Sequence, residues 1–502
     1  MDLLIISHPY HYEMENLCRL FFPLDKINVL RDREQATADD RVYTQSIVRG
    51  GDTKLIAEIN LRSRRARAER EVANTHPDYQ KECERQLAKA LFLLLCDLCG
   101  FTPPWGILTG VRPLGLMRRL IGEFGREGAA EYFNRQLLVS PAKTKLCLET
   151  ALREADIIKR STPNAFSLYI SIPFCPTRCN YCSFVSHSIA NAKKLIEPYV
   201  TLLCEELAAT AGYAKRCGLS LKTVYIGGGT PTTLSAEQLA RIMIAVKEHF
   251  DLTGAEEYTV EAGRPDTITR EKLDAIKAGG ATRISVNPQT MNDNVLERIG
   301  RRHTARQAAE AFRLTRQAGF DDINMDLICG LDGDDQPGFE RSLCEVLNLN
   351  PDSITVHTLC LKRSSQLGTL RTVGDTVPGV PQTTGVTMLQ TAIDRLPKSG
   401  YQPYYLYRQS KSLDNLENIG FARAGKEGLY NVYIMDETHT ILGCGAGAVT
   451  KLKQPRGSHI ERIFNFKYPY EYINRFSQMQ DRKTRISEFY EEYPVNLPKR
   501  SC

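Results

Sequence analysis

The sequence lacks an apolar run long enough to cross a membrane. Its longest run, residues 91–96 (LFLLLC), is far shorter than the about 20 residues that a spanning helix needs. The N-terminal residues, MDLLIISHPYHYEMENL, have no basic start ahead of an apolar core, so we expect no signal peptide. We therefore expect a cytoplasmic protein whose 15 cysteines are thiols or metal ligands, because disulfides are rare in that reducing compartment.

Internal repeats and low-complexity tracts are also absent, and nothing in the composition suggests disorder or a fibre. Hydrophobic residues (42%) and charged residues (25%) occur in globular proportions, and a chain of 502 residues predicts two or three domains. The net charge of +6 suits an acidic substrate without requiring nucleic acid, and no nucleic-acid partner is predicted. The basic residues 62–70 (RSRRARAER) are predicted to form the solvated face of a helix.

Four regions are predicted from the patterning. Residues 1–75 form a small α/β accessory domain, in which RVYTQSIV and KLIAEINL are strands of one hairpin. Residues 76–160 form a helical linker region, whose first helix ends at Gly100 before the breaker FTPPWG. Residues 401–502 form a C-terminal α/β region that covers the substrate, with 428–452 as a hairpin ending in a glycine-rich turn.

The remaining region, residues 165–400, alternates short β-branched runs with amphipathic segments. The predicted strands are SLYISIP, KTVYIGG, EYTVEAG, RISVNP, DINMDLI and SITVHTL, and the predicted helices span 193–216, 235–249, 270–278, 291–318, 337–349 and 384–399. Six strand–helix units in series favour an α/β fold with a parallel sheet, curved into an open or closed barrel. Such barrels carry their chemistry at the carboxyl ends of the strands.

Polar or glycine-rich groups follow every one of these strands. In chain order they are three cysteines, the loop GGGTP (227–231), Glu261 with Arg264 just beyond, Asn287 with Gln289, Asp326, and His357. Taken singly, each could be a surface or helix-capping group, GGGTP a simple turn, and His357 a structural histidine. A purely structural barrel has no reason to place polar groups at all of these ends, so the pattern predicts an enzyme.

The three cysteines, Cys175, Cys179 and Cys182, lie within eight residues after the first strand. Zinc or an iron–sulfur cluster suits such thiolates, but no fourth ligand follows at zinc-finger spacing, although His187 is near. Three thiolates leave one iron of a [4Fe–4S] cluster open to a substrate or cofactor. A second cysteine pair, C-x2-C at residues 96–99, lies in a helix tail and is not favoured as a metal site.

The motif C-x3-C-x2-C, with Tyr181 before its last cysteine, resembles the signature of the radical S-adenosylmethionine (SAM) superfamily. The stretches YIGGGTPTTL, RISVNPQTMN, RIGRRHT and NMDLICGL resemble its oxygen-independent coproporphyrinogen III oxidase-like family, most closely the HemZ subgroup of coproporphyrinogen dehydrogenases. The resemblance implies a partial (β/α)6 barrel of the TIM type, a [4Fe–4S] cluster held by the three cysteines, and SAM on the fourth iron.

The resemblance also implies the residues that bind SAM. Backbone groups of Gly228, Gly229 and Thr230 are expected to contact its methionine amine. Glu261 and Arg301 are expected to bind the two charged ends of the methionine part. Gln289 and Asp326 correspond to ligands of the ribose hydroxyls, and Tyr169 to an aromatic residue beside the sulfonium. Tyr169, Glu261 and Arg301 are the expected catalytic set.

The implied reaction is the anaerobic oxidative decarboxylation of coproporphyrinogen III to protoporphyrinogen IX. Two relatives of this family offer alternatives, namely haem ring opening with methyl or adenosyl transfer, and haem delivery by a chaperone without decarboxylase activity. The implied partners are a tetrapyrrole and a low-potential electron donor such as flavodoxin or ferredoxin.

Two positions depart from the oxidase pattern. Phe184 stands where the oxidases have a fourth cysteine, and Ser171 stands where they have a histidine. Contacts to the tetrapyrrole are expected from an aromatic and basic group: Tyr404, Tyr405, Tyr407, Arg408, Lys362 and Arg363. The alternative is that these residues form a packed aromatic cluster with a solvated basic rim.

Overall fold

The computed structural model describes residues 1–23, 25–182, 186–360, 383–409 and 415–495. The chain divides into two compact units. The first contains residues 1–152 with 383, 407–409 and 415–416, and the second contains the other described residues from 153 onward. Within the described ranges, no helix has the length and apolarity to cross a membrane.

The first unit is built on a five-stranded sheet with the order β2-β1-β3-β4-β5. The strands are β1 (Asp2–Ile6), β2 (Asn28–Leu30), β3 (Arg41–Arg49), β4 (Asp52–Leu61) and β5 (Arg64–Ala73). Helices His11–Phe21 and Tyr79–Cys99 pack with one face of the sheet in a hydrophobic core that includes Leu17, Leu55 and Leu91. The predicted hairpin of β3 and β4 is present, with Arg49 opposite Asp52 across its turn.

Further helices follow at Pro113–Glu131 and Pro141–Ile158. The first of these is interrupted at Gly125, which adopts a positive φ of 71°. The predicted helix end at Gly100 is also present, and this residue takes the left-handed conformation that commonly ends helices.

The prediction of a helix over residues 62–70 is wrong, because these residues belong to β5 and to the turn before it. Arg62 and Ser63 both have positive φ, as expected in a two-residue hairpin turn, and β5 pairs antiparallel with β4. Ala66 and Ala68 face the core while Arg65 and Arg67 are exposed, so the segment has the period of two of a strand. The high helix propensity of Ala, Arg and Glu concealed this alternation.

The second unit contains an eleven-stranded sheet with the order β14-β15-β13-β12-β11-β10-β9-β6-β16-β17-β18. Its six central barrel strands are β6 (Ala165–Ile172), β9 (Ser220–Gly228), β10 (Glu257–Gly263), β11 (Arg283–Val286), β12 (Ile323–Cys329) and β13 (Ser353–Thr358). All neighbours among these six are parallel, which matches the predicted strand–helix series. These strands and their connecting helices form the partial (β/α)6 barrel that the family resemblance implies.

Helices connect these strands. They are Ile189–Arg216, Ala236–His249, Arg270–Ala278, Asp293–Arg298, Ala305–Gln317, Gln336–Leu349 and Thr383–Arg395. The single helix predicted over 291–318 is two helices, because Gly300 with a φ of 77° ends the first and Thr304 caps the second. The Thr304 cap forms a capping box with Gln307, a start signal that the sequence pattern already contains.

The C-terminal part extends the same sheet on both sides. Its strands are β14 (Gln402–Arg408), β15 (Glu417–Ala422), β16 (Thr440–Cys444), β17 (Val449–Lys453) and β18 (Ile460–Phe464). Strand β16 pairs parallel with β6, and β15 pairs antiparallel with β13. Short helices Pro469–Asn474, Phe476–Lys483 and Arg485–Glu492 complete the described chain, and the short strands β7 (Phe174–Cys175) and β8 (His187–Ser188) pair with each other.

The prediction of one hairpin over 428–452 is correct only in its second half. Residues 429–436 form a helix, with Leu429, Tyr430, Val432 and Tyr433 buried at helical spacing. The hairpin consists of β16 and β17, which pair antiparallel around the glycine-rich turn 445–447. The residues Tyr, Val and Ile of the helix favour strands by propensity, so tertiary packing decides the outcome here.

Candidate functional site

The parallel strands bring polar side chains from β10, β12 and β13 together at their carboxyl ends. Asp326 Oδ2 lies 3.6 Å from His357 Nε2, and Asn324 donates a 2.7 Å hydrogen bond to Asp326 Oδ1. Glu261 is close enough to Asp326 and His357 for their charges to affect its pKa. The structure thus brings together the predicted polar side chains of three of the six strands.

Residues 175–182, here called the cysteine loop, lie beside the turn that follows helix Asp293–Arg298. Asn180 donates to the carbonyls of Ile299 (3.2 Å) and Arg298 (2.9 Å), and Thr177 donates to that of Gly300 (3.1 Å). These contacts hold the segment between the first and third cysteine in place.

The three cysteines share this loop but differ in exposure. Cys179 is buried, Cys175 and Cys182 are half-buried, and the Cys182 amide donates to the Cys179 carbonyl at 3.1 Å. Thr230 Oγ1 contacts Cys175 Sγ at 3.5 Å. Burial raises the pKa of the Cys175 thiol, so binding of a metal there would displace its proton.

No three His, Cys, Asp or Glu side chains within the described part of the chain converge as a single metal ion would require. A four-iron cluster has a different requirement, because each thiolate binds a different iron. The three cysteines on one anchored loop fit that donor set. His187 instead has its ring against Tyr468 and Tyr470, with centroid distances of 6.0 and 6.4 Å.

The glycine-rich loop after β9 packs directly on the start of the cysteine loop. The amide of Gly229 donates to Ile172 O at 2.7 Å, and that of Thr230 donates to Phe174 O at 2.8 Å. A Cβ atom on Gly229 would lie 2.6 Å from Phe174 O and 3.0 Å from Cys175 Sγ. Only glycine fits this approach, and Gly228 adds a φ of 110° that side chains rarely adopt.

Glu261 is held by Tyr225 of β9, whose hydroxyl donates to Glu261 Oε1. The pKa of Glu261 is raised to about 7, chiefly by burial and to a smaller extent by the nearby Asp326, although the Tyr225 hydrogen bond and His357 act in the opposite direction. A Cβ atom on Gly227 would lie 2.8 Å from Glu261 Oε2, so this glycine makes room for the carboxylate. The carboxylate is thus placed where a cationic ligand would favour its ionised form.

Tyr169 belongs to a group of three stacked tyrosines. Its ring lies 6.3 Å from Tyr225 and 6.2 Å from Tyr430, and the latter two are 4.4 Å apart. Sequence reasoning missed Tyr225 and Tyr430. The position of Tyr225 two residues before the glycine loop was an available signal for it, whereas Tyr430 lies on the helix that was predicted as a strand.

Gln289 and Arg301 carry buried polar atoms that lack a partner within the part of the chain that is described. These atoms are Gln289 Oε1 and Arg301 Nε. Arg301 Nη1 donates to Asn287 O at 2.6 Å, and its guanidinium also hydrogen-bonds to Tyr181 and Cys179. Burial lowers the pKa of Arg301, but Tyr181 and Cys179 raise it by more, so the cation persists.

The backbone of Gln289 is strained as well. Its φ of 73° is unusual for a residue with a side chain. Two backbone hydrogen bonds of 2.9 Å fix this conformation: the Gln289 amide donates to Asp326 O, and the Ile328 amide donates to Gln289 O. Strain and an unpartnered polar atom at one residue are typical of a ligand site. The unpartnered acceptor of Gln289 fits a hydroxyl group of a bound molecule, and the unpartnered donor of Arg301 fits a carboxylate.

The structure gives contacts for two residues, Ser171 and Arg264, that were noted in the sequence without an assigned role. Ser171 is buried and donates to Ala446 O at 2.8 Å, so its side chain faces the turn after β16. Arg264, noted only as a neighbour of Glu261, is also buried and reaches Cys179 Sγ. Sequence pattern gave Arg264 no role because the contact joins residues 85 positions apart.

The predicted aromatic and basic contacts to a tetrapyrrole are packed inside the protein where the structure describes them. Tyr404 and Tyr405 are buried against each other, with ring centroids 4.9 Å apart. Arg408 is buried too, donates to the carbonyls of Leu108 and Gly110, and lies 5.2 Å from the Trp105 ring. The prediction that Arg408 binds a propionate is therefore wrong, because its buried guanidinium donates its hydrogen bonds to backbone carbonyls. Tyr407 is half-buried, and Phe184, Lys362 and Arg363 lie outside the described residues.

Comparison with known proteins identifies relatives of this chain. A family model described as the radical SAM superfamily matches residues 169–343. The oxygen-independent coproporphyrinogen-III oxidase-like protein HemZ of Bacillus subtilis (strain 168) is 36% identical over 417 residues, which are 82% of this chain and 83% of that protein. The heme chaperone HemW of the same organism is 32% identical over 315 residues, which are 61% of this chain and 77% of the chaperone.

A solved structure shares the fold. Coproporphyrinogen III oxidase (HemN) from Escherichia coli, described as a radical SAM enzyme, superposes with a TM-score of 0.51 and 23% sequence identity. The match covers 69% of this chain and 79% of that one. It supports the architecture of the barrel and its flanking strands.

Proposed function

Because the chain belongs to the HemZ-like, oxygen-independent coproporphyrinogen-III oxidase-like family of radical SAM proteins, we propose that it is an enzyme acting on a tetrapyrrole. Proteins of this superfamily use a [4Fe–4S] cluster and SAM. The proposed reaction is the anaerobic conversion of two propionates of coproporphyrinogen III into vinyl groups, which gives protoporphyrinogen IX.

The observation that carries this proposal is the joining of three features at one edge of the barrel. The cysteine loop, the glycine loop packed against Cys175 and the polar strand ends would together hold a cluster and SAM. Cys175, Cys179 and Cys182 would be the cluster ligands. The amides of Gly229 and Thr230 are already used by Ile172 and Phe174, so backbone carbonyls of this loop would accept the SAM ammonium group.

The remaining SAM contacts follow from charge and free bonding capacity. Glu261, with its pKa raised to about 7 by burial, would gain a cationic partner in the ammonium group and become ionised. Arg301 would bind the carboxylate through its unpartnered Nε. Gln289 Oε1 and Asp326 would accept from ribose hydroxyls, and Tyr169 would pack beside the sulfonium.

When bound and given one electron by a low-potential donor, the cluster and SAM would release methionine and supply a 5′-deoxyadenosyl radical that removes one hydrogen atom from the substrate. Each propionate then loses carbon dioxide and one electron as its side chain becomes a vinyl group. The hydrogen ends in 5′-deoxyadenosine, the electron passes to a one-electron acceptor, and one SAM is used for each propionate. The chain's own residues orient the reactants and exclude water from them.

The test is an anaerobic turnover assay with reconstituted protein, SAM and dithionite. Coproporphyrinogen III and haem are offered separately, and the products are read by mass spectrometry. Loss of two carboxyl groups from coproporphyrinogen, with 5′-deoxyadenosine formed in step, is the expected result. It would also show that Ser171 and Phe184 are compatible with decarboxylation.

Two other outcomes would overturn the decarboxylase assignment. Modification or opening of haem, with coproporphyrinogen untouched, would assign a different radical reaction on a tetrapyrrole. Stoichiometric haem binding without turnover of either compound would favour haem delivery, the role named for the HemW relative. The Glu261→Gln variant is the matched control, since it should retain the cluster and lose SAM-dependent product.

A further inference from the structure

A buried cation lies against the second cysteine of the loop. Arg264, which is only 3% exposed, follows β10 and directs Nη1 toward Cys179 Sγ at 3.8 Å. The same nitrogen donates to Thr177 Oγ1 at 3.1 Å, within the cysteine loop. The guanidinium therefore touches the loop at two points, one of them a sulfur atom.

Asp266 fixes this guanidinium from the other side. Nε and Nη2 of Arg264 donate to the two carboxylate oxygens of Asp266, at 2.9 and 3.1 Å. Burial alone would raise the pKa of Asp266, but Arg264 outweighs it and the pKa is lowered, so the carboxylate is ionised. Planar two-point pairing of this kind holds an arginine in one orientation. The cation faces the sulfur and the anion lies behind it.

The other charged neighbours do not offset this arrangement. Arg301 also hydrogen-bonds to Cys179, but its Nε is unpartnered and its assigned role is to bind SAM. His303 lies 3.8 Å from Asp266 Oδ1, and burial lowers its pKa to about 3, which leaves it neutral. Arg264 and Asp266 are thus the fixed ion pair behind Cys179.

A charge in this position acts on the reduction of an iron–sulfur cluster. Reduction adds one negative charge, and the potential depends on net charge, hydrogen bonds to the sulfurs and solvent exposure. A buried cation with an N–H group on a ligand sulfur favours the reduced form, because water screens it poorly. A buried anion nearby has the opposite effect.

We propose that Arg264 and Asp266 are positioning residues that set the reduction potential of the cluster bound through Cys179. Arg264 raises the potential and Asp266 lowers it. This inference rests on the proposed function in one respect, namely that the three cysteines bind a [4Fe–4S] cluster. It is independent of the tetrapyrrole and of the reaction carried out on it.

The experiment is a redox titration of the full-length, reconstituted protein without SAM, followed by electron paramagnetic resonance of the reduced cluster. Arg264→Gln should shift the midpoint potential to a more negative value, by about a tenfold change in the reduction equilibrium or 59 mV for one electron. Asp266→Asn should shift it to a less negative value. Arg264→Lys, which keeps the charge but loses the two-point pairing, should fall between wild type and Arg264→Gln.

Arg270→Gln is the matched control, because Arg270 also pairs with an aspartate (Asp274, 2.9 Å) but both side chains are about half exposed. Its potential should equal that of the wild type. Equal potentials for wild type, Arg264→Gln and Asp266→Asn at full iron content would overturn the inference, and so would shifts of both variants in the same direction. If Arg264→Gln does not assemble the cluster, the direction of the Asp266→Asn shift decides.

The outcomes also separate this inference from the proposed function. A wild-type protein that binds no cluster would refute the proposed function itself. Opposite shifts in the two variants, together with an absence of coproporphyrinogen turnover, would support the role of the ion pair and refute the decarboxylase assignment.

Discussion

Two regions of the barrel unit contain buried or half-buried polar and charged side chains but differ in how completely these are bonded. The first is a network around Glu206 and Lys483, both 0% exposed and joined at 2.7 Å. Glu206 also accepts from Gly445 N, Tyr472 Oη and Asn465 Nδ2, at 2.6–2.8 Å. The second region is the set of polar groups at the strand ends, where Gln289 Oε1 and Arg301 Nε have no partner among the described residues.

The first region has the bonding expected of a structural element. Lys483 donates to Thr210 Oγ1 and to Gly443 O, at 3.0 and 2.8 Å, in addition to its bond with Glu206. The network holds the turn after β16, whose Ala446 accepts the hydrogen bond of Ser171. Removal of one member of such a network costs more than the pair contributes, since it leaves a buried charge unpaired.

The second region retains bonding capacity at a cost in stability. Each unpartnered buried polar atom costs about 1–3 kcal/mol, and the left-handed conformation of Gln289 adds about 1–2 kcal/mol. A folded chain keeps such costs where a ligand repays them. The completeness of the bonding therefore distinguishes a set of residues that supports the fold from a set that is proposed to bind a ligand.

Cys179→Ala is expected to have the largest effect, because it should abolish function while leaving the fold unchanged. Loss of one thiolate should prevent cluster assembly and abolish SAM cleavage, while the Glu206 network and the fold remain. Iron content, visible absorbance and 5′-deoxyadenosine formation measure the first effect, and circular dichroism measures the second. Cys204→Ala, on helix Ile189–Arg216, is the control and should keep the iron. SAM cleavage by Cys179→Ala would contradict the site assignment.

The next largest effect is expected from Lys483→Met, which leaves Glu206 buried without its counter-ion. The free energy of unfolding of the barrel unit should fall by about 3–5 kcal/mol. The double variant Lys483→Met with Glu206→Gln should lose less than the single variant, because the unpaired charge is gone. Urea unfolding followed by circular dichroism measures both. Equal losses in the single and double variants would mean that the ion pair is not the source of the effect.

A smaller effect, which depends on pH, is expected at Glu261. Its pKa in the folded state is about 7 against an ordinary value of 4.5, so between these values the folded state binds more protons than the unfolded state. The contribution of protonated Glu261 to the free energy of unfolding is therefore fully present below about pH 4.5 and is lost as the pH rises through 7. Glu261→Gln should remove this loss and raise the free energy of unfolding at pH 8 by about 1–2 kcal/mol. This rise is smaller than the pKa shift alone would give at about 1.4 kcal/mol per pKa unit, because water screens part of the interaction.

Unfolding curves of wild type and Glu261→Gln between pH 5 and pH 8 provide the measurement. Two parallel curves would show that Glu261 does not titrate in this range. Saturating SAM should flatten the wild-type curve if its ammonium group pairs with Glu261.

Local patterns in the sequence were sufficient to predict much of the barrel and to single out the three cysteines as candidate ligands. The six parallel strands are short runs rich in β-branched and apolar residues that alternate with amphipathic helices, and the three cysteines lie within one short loop, so both patterns are local in the sequence. The strand-end positions of Glu261, Asp326 and His357 follow from the same register. Family resemblance, and not the pattern itself, supplied the expected role of each residue.

Features that depend on distant contacts could not be read from the sequence. Strand β16 lies next to β6 although about 270 residues separate them, and no local signal encodes that parallel pairing. The contact of Arg264 with Cys179 and the third ring of the tyrosine stack, Tyr430, have the same origin. At residues 62–70 and 429–436 local propensity favoured the wrong element, because the packing environment decided between helix and strand.

The smallest effect is expected at Gln289, where stability and binding should change in opposite directions. Gln289→Gly relieves the positive φ and removes an unpartnered buried oxygen, while the greater freedom of glycine in the unfolded chain offsets part of the gain. The free energy of unfolding should rise by about 1 kcal/mol, and SAM should bind more weakly by equilibrium dialysis. Asn350→Gly, at a φ of 58° after helix Gln336–Leu349, is the matched control and should leave SAM binding unchanged. A Gln289→Gly variant that binds SAM as the wild type does would show that the strain at this residue serves the fold and not the ligand.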